Sequence, residues 1–283
     1  AGVVSTRAVG SRDEVQRTSV PGPNALSGEG GPCSARPETG GLGTGEASRE
    51  RQGGESFWTR YAGGLFLAGC VAVGMSLHVA GTTLHANHPV VADPTQVTLE
   101  QELELGSQCQ RMATSGRPAR DAEQEQRVAR VGQTLLPHAR RSEIPYQVHL
   151  ENNQRVNAQA CSNGALLIER NLARKLDDQE LLFVGGHELG HVELRHGATR
   201  TSYLDQVGWI MAVPFMREPF ARDYEAMSRE HEKAADCYAV GILRAEGIPV
   251  EKAESALLKA TEGSPQHGTH PPINERLQHL RSC

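Results

Sequence analysis

His187 and His191 stand four residues apart in the stretch GGHELGHVELRHG, and Glu188 follows the first directly. Four residues on an α-helix turn through about 400°, which leaves two side chains roughly 40° apart on one face. Two imidazoles so placed can hold one metal ion. Glu188 is turned about 100° from His187 and can reach a water on that metal without ligating it. The chemistry implied is hydrolysis: zinc lowers the pKa of the water, and the carboxylate takes its proton as the water attacks a carbonyl. The plain alternative is a solvated polar patch, and the apolar LLFVGG just before the motif argues against it. Gly185, Gly186 and Gly190 each cost about 1 kcal/mol relative to alanine inside a helix. Three such costs imply close approach of another backbone or a ligand.

A catalytic zinc takes three protein ligands and keeps one position open. His196 does not supply the third in metzincin fashion, because that pattern wants glycine at 194 and histidine at 197, where this chain has Leu194 and Gly197. Downstream, SREHEKAADCYAVGILRAEGIP reads as a helix ending near Gly247. Glu232 and Asp236 share a face of it. Glu232 can bind the metal, and Asp236 can accept the outward N–H of a ligating histidine. An exposed acid pair has the same spacing. Glu230 and His231 compete as ligands, but neither has an acid four residues on.

These residues need a scaffold. Asp177 or Asp178 is a plausible N-cap for the HExxH helix and Gly197 a plausible stop. TLEQELELG begins an earlier helix with Thr98 as N-cap and Gln101 completing a capping box. Another runs from about Asp121 to Leu136, with Val128, Val131 and Leu135 as its apolar stripe. IPYQVHLE alternates Tyr146, Val148 and Leu150 as a half-buried strand, and GALLIE reads as a second strand after the turn-like CSNG. The rest is mainly helical. The expected fold is α+β, mostly helical, as one domain over residues 94–283. The apolar run YLDQVGWIMAVPFM, broken by Pro214, is too short to span a bilayer and reads as a lid or a membrane-facing hairpin.

The net charge of −5 excludes an ordinary nucleic-acid binder. Residues 1–56 are rich in Gly, Ser, Arg, Pro and Glu without hydrophobic period, and are expected to be disordered. Residues 57–80 carry no formal charge from Ala62 to Ala80, which is long enough for a transmembrane helix. Arg49, Arg51 and Arg60 precede it, which places the N-terminus in the cytoplasm and the remainder outside. A buried helix of a soluble domain is one alternative. Another is a lipoprotein signal: LAGC ends in Cys70, and a basic flank and a short apolar stretch precede it.

From here the sequence resembles the HtpX-like and CAAX-prenyl-endopeptidase-like zinc metallopeptidases, a gluzincin family, over roughly residues 95–280. ELELG, VNAQACSNGALLIERNL, DDQELLFVGGHELGHVELRH, SREHEKAAD and THPPINERLQHL occur in the family's order. The resemblance implies a zincin-like domain with a small sheet and one zinc ion held by His187, His191 and Glu232, with Glu188 as base. It implies an outer role for Asp236, and it implies that Asn157 and Ala158 begin an edge strand along which substrate lies extended. It places His270 near the metal, stabilising the oxyanion or guarding the open position, and pairs Arg276 with an acid of the site. Gln159 departs from the hydrophobic residue usual after Asn-Ala. With only one other long apolar segment, the many-spanning members are excluded.

The six cysteines show no zinc-cluster spacing. Outside the cytoplasm disulfides are permitted, and Cys109 with Cys161 is the preferred pair, although spacing alone does not determine pairing. Cys237 reads as a small buried residue. The function expected is a membrane-attached, envelope-facing zinc endopeptidase acting on misfolded or unassembled polypeptides. The alternatives are a latent or inactive chaperone-like binder of unfolded chains on the same fold, and an aminopeptidase.

Overall fold

The computed structural model describes residues 57–114, 121–152, 155–262 and 271–283, with side chains from Phe66 onward. The segment expected to be disordered, 1–56, and His270 lie outside the described residues.

Helix α1 spans Phe57–Asn87, longer than the apolar segment that suggested it. From Phe66 to Asn87 it is long and apolar enough to cross a membrane, and only 11% of the apolar window is buried. Phe66, Met75 and Val79 are exposed. From Phe66 on, the helix is therefore not a buried one in this structure.

Helix α2, Leu99–Ala113, starts on the Thr98–Gln101 capping box. Its Gly106 lies against the turn at Ser162–Asn163, where a Cβ would meet backbone at 2.0 Å. The disulfide Cys109–Cys161 closes beside that contact. Helix α3, Ala122–Leu135, is capped by the Asp121 side chain and buries Val128, Val131 and Leu135. Strands β1 (Gln147–Glu151), β2 (Ala158–Ala160) and β3 (Ala165–Glu169) form a sheet of order β1-β3-β2. β1 runs parallel to β3 with Val148 opposite Leu166, and β2 runs antiparallel with Ala158 opposite Ile168. All five residues of β3 are buried, as a central strand covered on both faces requires.

Helix α4, Arg170–Lys175, leads into α5, Asp178–Glu193. Asp177 is the N-cap of α5, and Glu180 completes a capping box with it. α5 is buried almost all round, with Leu181, Phe183 and Leu189 at 0–1% exposure. Each such side chain contributes about 1.5–3 kcal/mol on burial, and α5 is therefore the centre of the core. The remaining helices are α6 (His196–Met211), α7 (Glu218–Ala245), α8 (Glu251–Thr261) and α9 (Ile273–Leu280).

The stop expected at Gly197 falls earlier. Arg195 adopts the left-handed conformation at φ 56°, and α6 begins at the next residue with Gly197 inside it. An arginine rarely takes that conformation. Here its guanidinium is anchored to the buried Glu102 carboxylate at 2.5 Å and to the Val97 carbonyl at 2.7 Å, which fixes the bend from outside the helix. Arg141 holds the second oxygen of Glu102 at 2.6 Å. Cys237 is also corrected: it is half-buried and forms a disulfide with Cys283, which joins α7 to the residues just after α9.

Candidate metal centre

The glycines of α5 explain how two helices meet closely enough to build a site. A Cβ on Gly186 would lie 3.2 Å from Ala239 Cα, and one on Gly190 would lie 3.2 Å from Ala235 Cα. For Gly186 and Gly190 the close approach implied by the sequence is thus to the backbone of α7, whereas Gly185 faces the Leu135 side chain of α3, 2.9 Å from where its Cβ would stand. His187 and His191 follow Gly186 and Gly190 by one residue, and Glu232 and Asp236 sit on the same face of α7 as Ala235 and Ala239. The crossing that the small residues permit brings these four side chains together.

His187 Nε2 and His191 Nε2 lie 3.1 Å apart. Glu232 places one oxygen 3.6 Å from His187 Nε2 and the other 3.4 Å from His191 Nε2. Ligands 2.0–2.1 Å from a tetrahedral zinc stand roughly 3.3 Å apart, so the three donors fit such an ion. The outward nitrogens fit as well. His187 Nδ1 donates to Asp236 Oδ1 at 2.9 Å, which leaves Nε2 free as a ligand. Arg276 grips the same carboxylate through two bonds, Nη2 to Oδ1 at 2.6 Å and Nε to Oδ2 at 2.8 Å. Asp236 is wholly buried. Burial raises its pKa, but the bonds from Arg276 and His187 outweigh this and hold it below the usual range. Burial lowers the pKa of His187, yet Asp236 and Glu232 raise it to about 10. The same field that draws a proton to this point draws a metal cation.

His191 Nδ1 meets a partner that the sequence did not single out. His196 Nδ1 lies 2.9 Å from it, and the His196 ring stacks on His231 with centroids 4.1 Å apart and planes 9° from parallel. Burial first, then the neighbouring His231, His191 and Arg200, pushes the pKa of His196 down to about 2. Burial and Arg200 push His231 down to about 4. With Nε2 of His191 turned to the metal, its Nδ1 keeps the ring hydrogen and donates to His196 Nδ1. Two residues five apart on one straight helix point about 140° away from each other, so helical spacing carries no signal for this pair. The bend at Arg195 creates it. His231, weighed as a competing ligand, spends its ring on this stack.

The donors open onto a cavity of about 590 Å³. Glu188 lines it, half-buried, beside His187 and His191. Asn157, Ala158 and Gln159 of the β2 region line the same cavity. Among the described residues β2 pairs only with β3, so its other edge is free toward the cavity. Arg200 of α6 and Pro271, the first described residue after His270, complete the rim. Of the predicted site residues, the structure gathers His187, Glu188, His191, Glu232, Asp236, Arg276, Asn157 and Ala158 around one cleft. His270 falls among residues 263–270, outside those described.

Donor spacing, a carboxylate beside it and a free strand edge in the same cleft are the parts of a zincin-like metallopeptidase. The family model described as Peptidase family M48 matches residues 122–283, more than half of the chain, and the chain belongs to that family. It is 27% identical over 174 residues to metalloprotease YcaL of Escherichia coli (strain K12), covering 55% of this chain and 68% of that one. It is 28% identical over 195 residues to metalloprotease LoiP of the same organism, covering 61% and 76%. A third relative, the beta-barrel assembly-enhancing protease of that organism, is 24% identical over 198 residues, which cover 62% of this chain and 40% of the relative. The protein is a metalloendopeptidase, and its family implies a metal.

Proposed function

We propose that this chain is a membrane-attached zinc endopeptidase of the HtpX-like, CAAX-prenyl-endopeptidase-like kind, in its single-domain envelope form, and that it cuts misfolded or unassembled polypeptides outside the cytoplasm. One observation carries this reading: Glu188, a three-donor metal set and the β2 residues Ala158 and Gln159 line one cleft. Two disulfides, Cys109–Cys161 and Cys237–Cys283, support an oxidising compartment. The exposed apolar α1 supports attachment to a membrane, with Arg60 on its cytoplasmic side. Lipid attachment at Cys70, which is exposed, is the second form of the same anchor. The name of the assembly-enhancing relative supports unassembled proteins as the substrate class.

One zinc ion held by His187, His191 and Glu232 supplies a Lewis acid that polarises the scissile carbonyl and acidifies water. The chain does the rest. The free edge of β2, from Asn157 and Ala158 onward, hydrogen-bonds the substrate backbone in extended form, which admits many sequences. Glu188 takes a proton from the attacking water as its oxygen bonds the carbonyl carbon, and returns it to the amine as the C–N bond breaks. Asp236, held by Arg276, keeps Nε2 of His187 aimed at the metal. His270 steadies the oxyanion or covers the open position, a role that rests on the resemblance.

The test is digestion of an unfolded model protein by the full chain beside Glu188→Gln, with zinc measured in both. Internal cuts by the wild type alone, at equal zinc content, are expected. Equal zinc without cleavage by either protein identifies a latent or binding-only protein. Absence of zinc from both overturns the metal reading.

A further inference from the structure

We propose that the turn joining α6 to α7 inserts into the membrane beside α1, so that the peptidase domain enters the bilayer at two places. The inference rests on the membrane attachment proposed above.

Residues 207–216, VGWIMAVPFM, form an uncharged tip between Asp205 and Arg217. Their inward face is accounted for. Tyr203, Val207 and Ile210 of α6 pack on Phe220 of α7, and the Tyr203 hydroxyl donates to the Phe220 carbonyl at 2.7 Å. The outward face is not. Trp209 is 63% exposed and Phe215 is 59% exposed. Phe215 sits in the left-handed region at φ 68°, a costly conformation for a bulky side chain. That backbone holds its ring out of the hairpin core and against α1. None of the tip residues lines the catalytic cleft, which α6 reaches only through Arg200. In this conformation the tip does not cover the cleft.

What covers the tip follows from its level on α1. The Phe215 ring lies against Gly74, 3.6 Å from where a Cβ would stand, and Met216 packs on Gly81. Glu218 is paired with His78 at 3.5 Å and Asp223 with His85 at 2.6 Å. The polar contacts mark where α1 leaves hydrocarbon. Gly74 is four residues below His78, about 6 Å deeper at 1.5 Å per residue. That depth matches an interfacial anchor, whose apolar face enters by about 5–10 Å. With α1 in a bilayer, Phe215 cannot be in water at this level. Trp209 and Phe215 on one uncharged tip are the aromatic pattern of such an interface.

The chain has only two tryptophans, Trp58 in the first turn of α1 and Trp209 on the tip, so each can be read alone. The experiment reconstitutes the full chain, as Trp58→Phe or as Trp209→Phe, into phosphatidylethanolamine–phosphatidylglycerol vesicles with and without brominated acyl chains. In the Trp58→Phe protein the bromolipid should remove most of the Trp209 emission, and aqueous iodide should remove little. If iodide quenches Trp209 and bromolipid does not, while bromolipid still quenches Trp58, the anchor stands and the inserted hairpin is wrong. If neither tryptophan responds to bromolipid and the protein does not float with vesicles, the membrane attachment fails and takes this inference with it.

Discussion

His191 Nδ1 and His196 Nδ1 lie 2.9 Å apart across the bend at Arg195, so the imidazoles of α5 lean on two different acceptors: a buried carboxylate for His187 and a neutral imidazole for His191. Outer partners of metal-binding histidines typically contribute about 10–100-fold to metal affinity. His196→Ala should weaken zinc binding by that order, and His196→Asn, which keeps a side-chain acceptor, should recover part of it. Competition with a chromophoric chelator reads both. Unchanged affinity in His196→Ala would remove His196 from the centre.

Gly190→Ala sets two effects against each other. Alanine gains about 1 kcal/mol of helix propensity. Its Cβ would stand 3.0 Å from Tyr238 Cβ and 3.2 Å from Ala235 Cα, and overpacking of a filled core costs about 1–3 kcal/mol. The obstacle is partly backbone, so the cost should win: a lower melting temperature and weaker zinc binding. A more stable variant with intact zinc affinity would show that the helices have room to spare.

Glu180 sets a pH dependence of stability. Burial raises its pKa, but bonds from Lys259, Ser255 and the Asp177 backbone N–H outweigh burial and hold it below 4.5. A depressed carboxylate contributes stability that is complete above its unfolded pKa and is lost as pH falls through the folded one. Glu180→Gln should therefore destabilise the protein at neutral pH by about 1–3 kcal/mol. The gap from the wild type should close in acid. Denaturant melts at pH values on either side of 4.5 check this, and a gap that stays constant with pH would contradict it.

Both disulfides close long loops, with sequence separations of 52 and 46 residues. Reduction should raise the intact mass by two hydrogens per bond and cost about 2–4 kcal/mol for each. Cys237 follows Asp236, and Cys283 follows the helix that carries Arg276, so loss of this second bond should also loosen the grip of Arg276 on Asp236. Cys237→Ser with Cys283→Ser should lower zinc affinity more than Cys109→Ser with Cys161→Ser. Equal effects would mean that both bonds act only on global stability.

Much of the scaffold was legible because it is local. Thr98 with Gln101, and Asp177, announce helix starts through hydrogen bonds within one turn. Val128, Val131 and Leu135 announce a buried stripe through period alone. The two halves of the site were likewise legible as helix faces, His187 with His191 and Glu232 with Asp236; ligand chemistry proposed their union, and the family resemblance decided it against an exposed acid pair of the same spacing. What stayed hidden depends on contacts far along the chain. Gly197 looked like a stop because glycine is the common residue there, yet Glu102 and the Val97 carbonyl let Arg195 make the bend instead. The His191–His196 contact follows from that bend. The Cys237–Cys283 bond needs α9 docked on α7, which no spacing encodes.

Helix α7 begins at the tip of the hairpin and carries Glu232 fourteen residues after Glu218. At 1.5 Å per residue that is about 21 Å of stiff rod. With the tip seated in lipid as proposed, α7 would limit the height of Glu232 above the membrane to that length. An extended chain covers about 3.3 Å per residue, so a substrate rooted in the same bilayer would have to offer up to roughly six unpaired residues before a bond reached Glu188. A correctly folded neighbour whose chain returns sooner stays out of range. One whose chain has come loose does not.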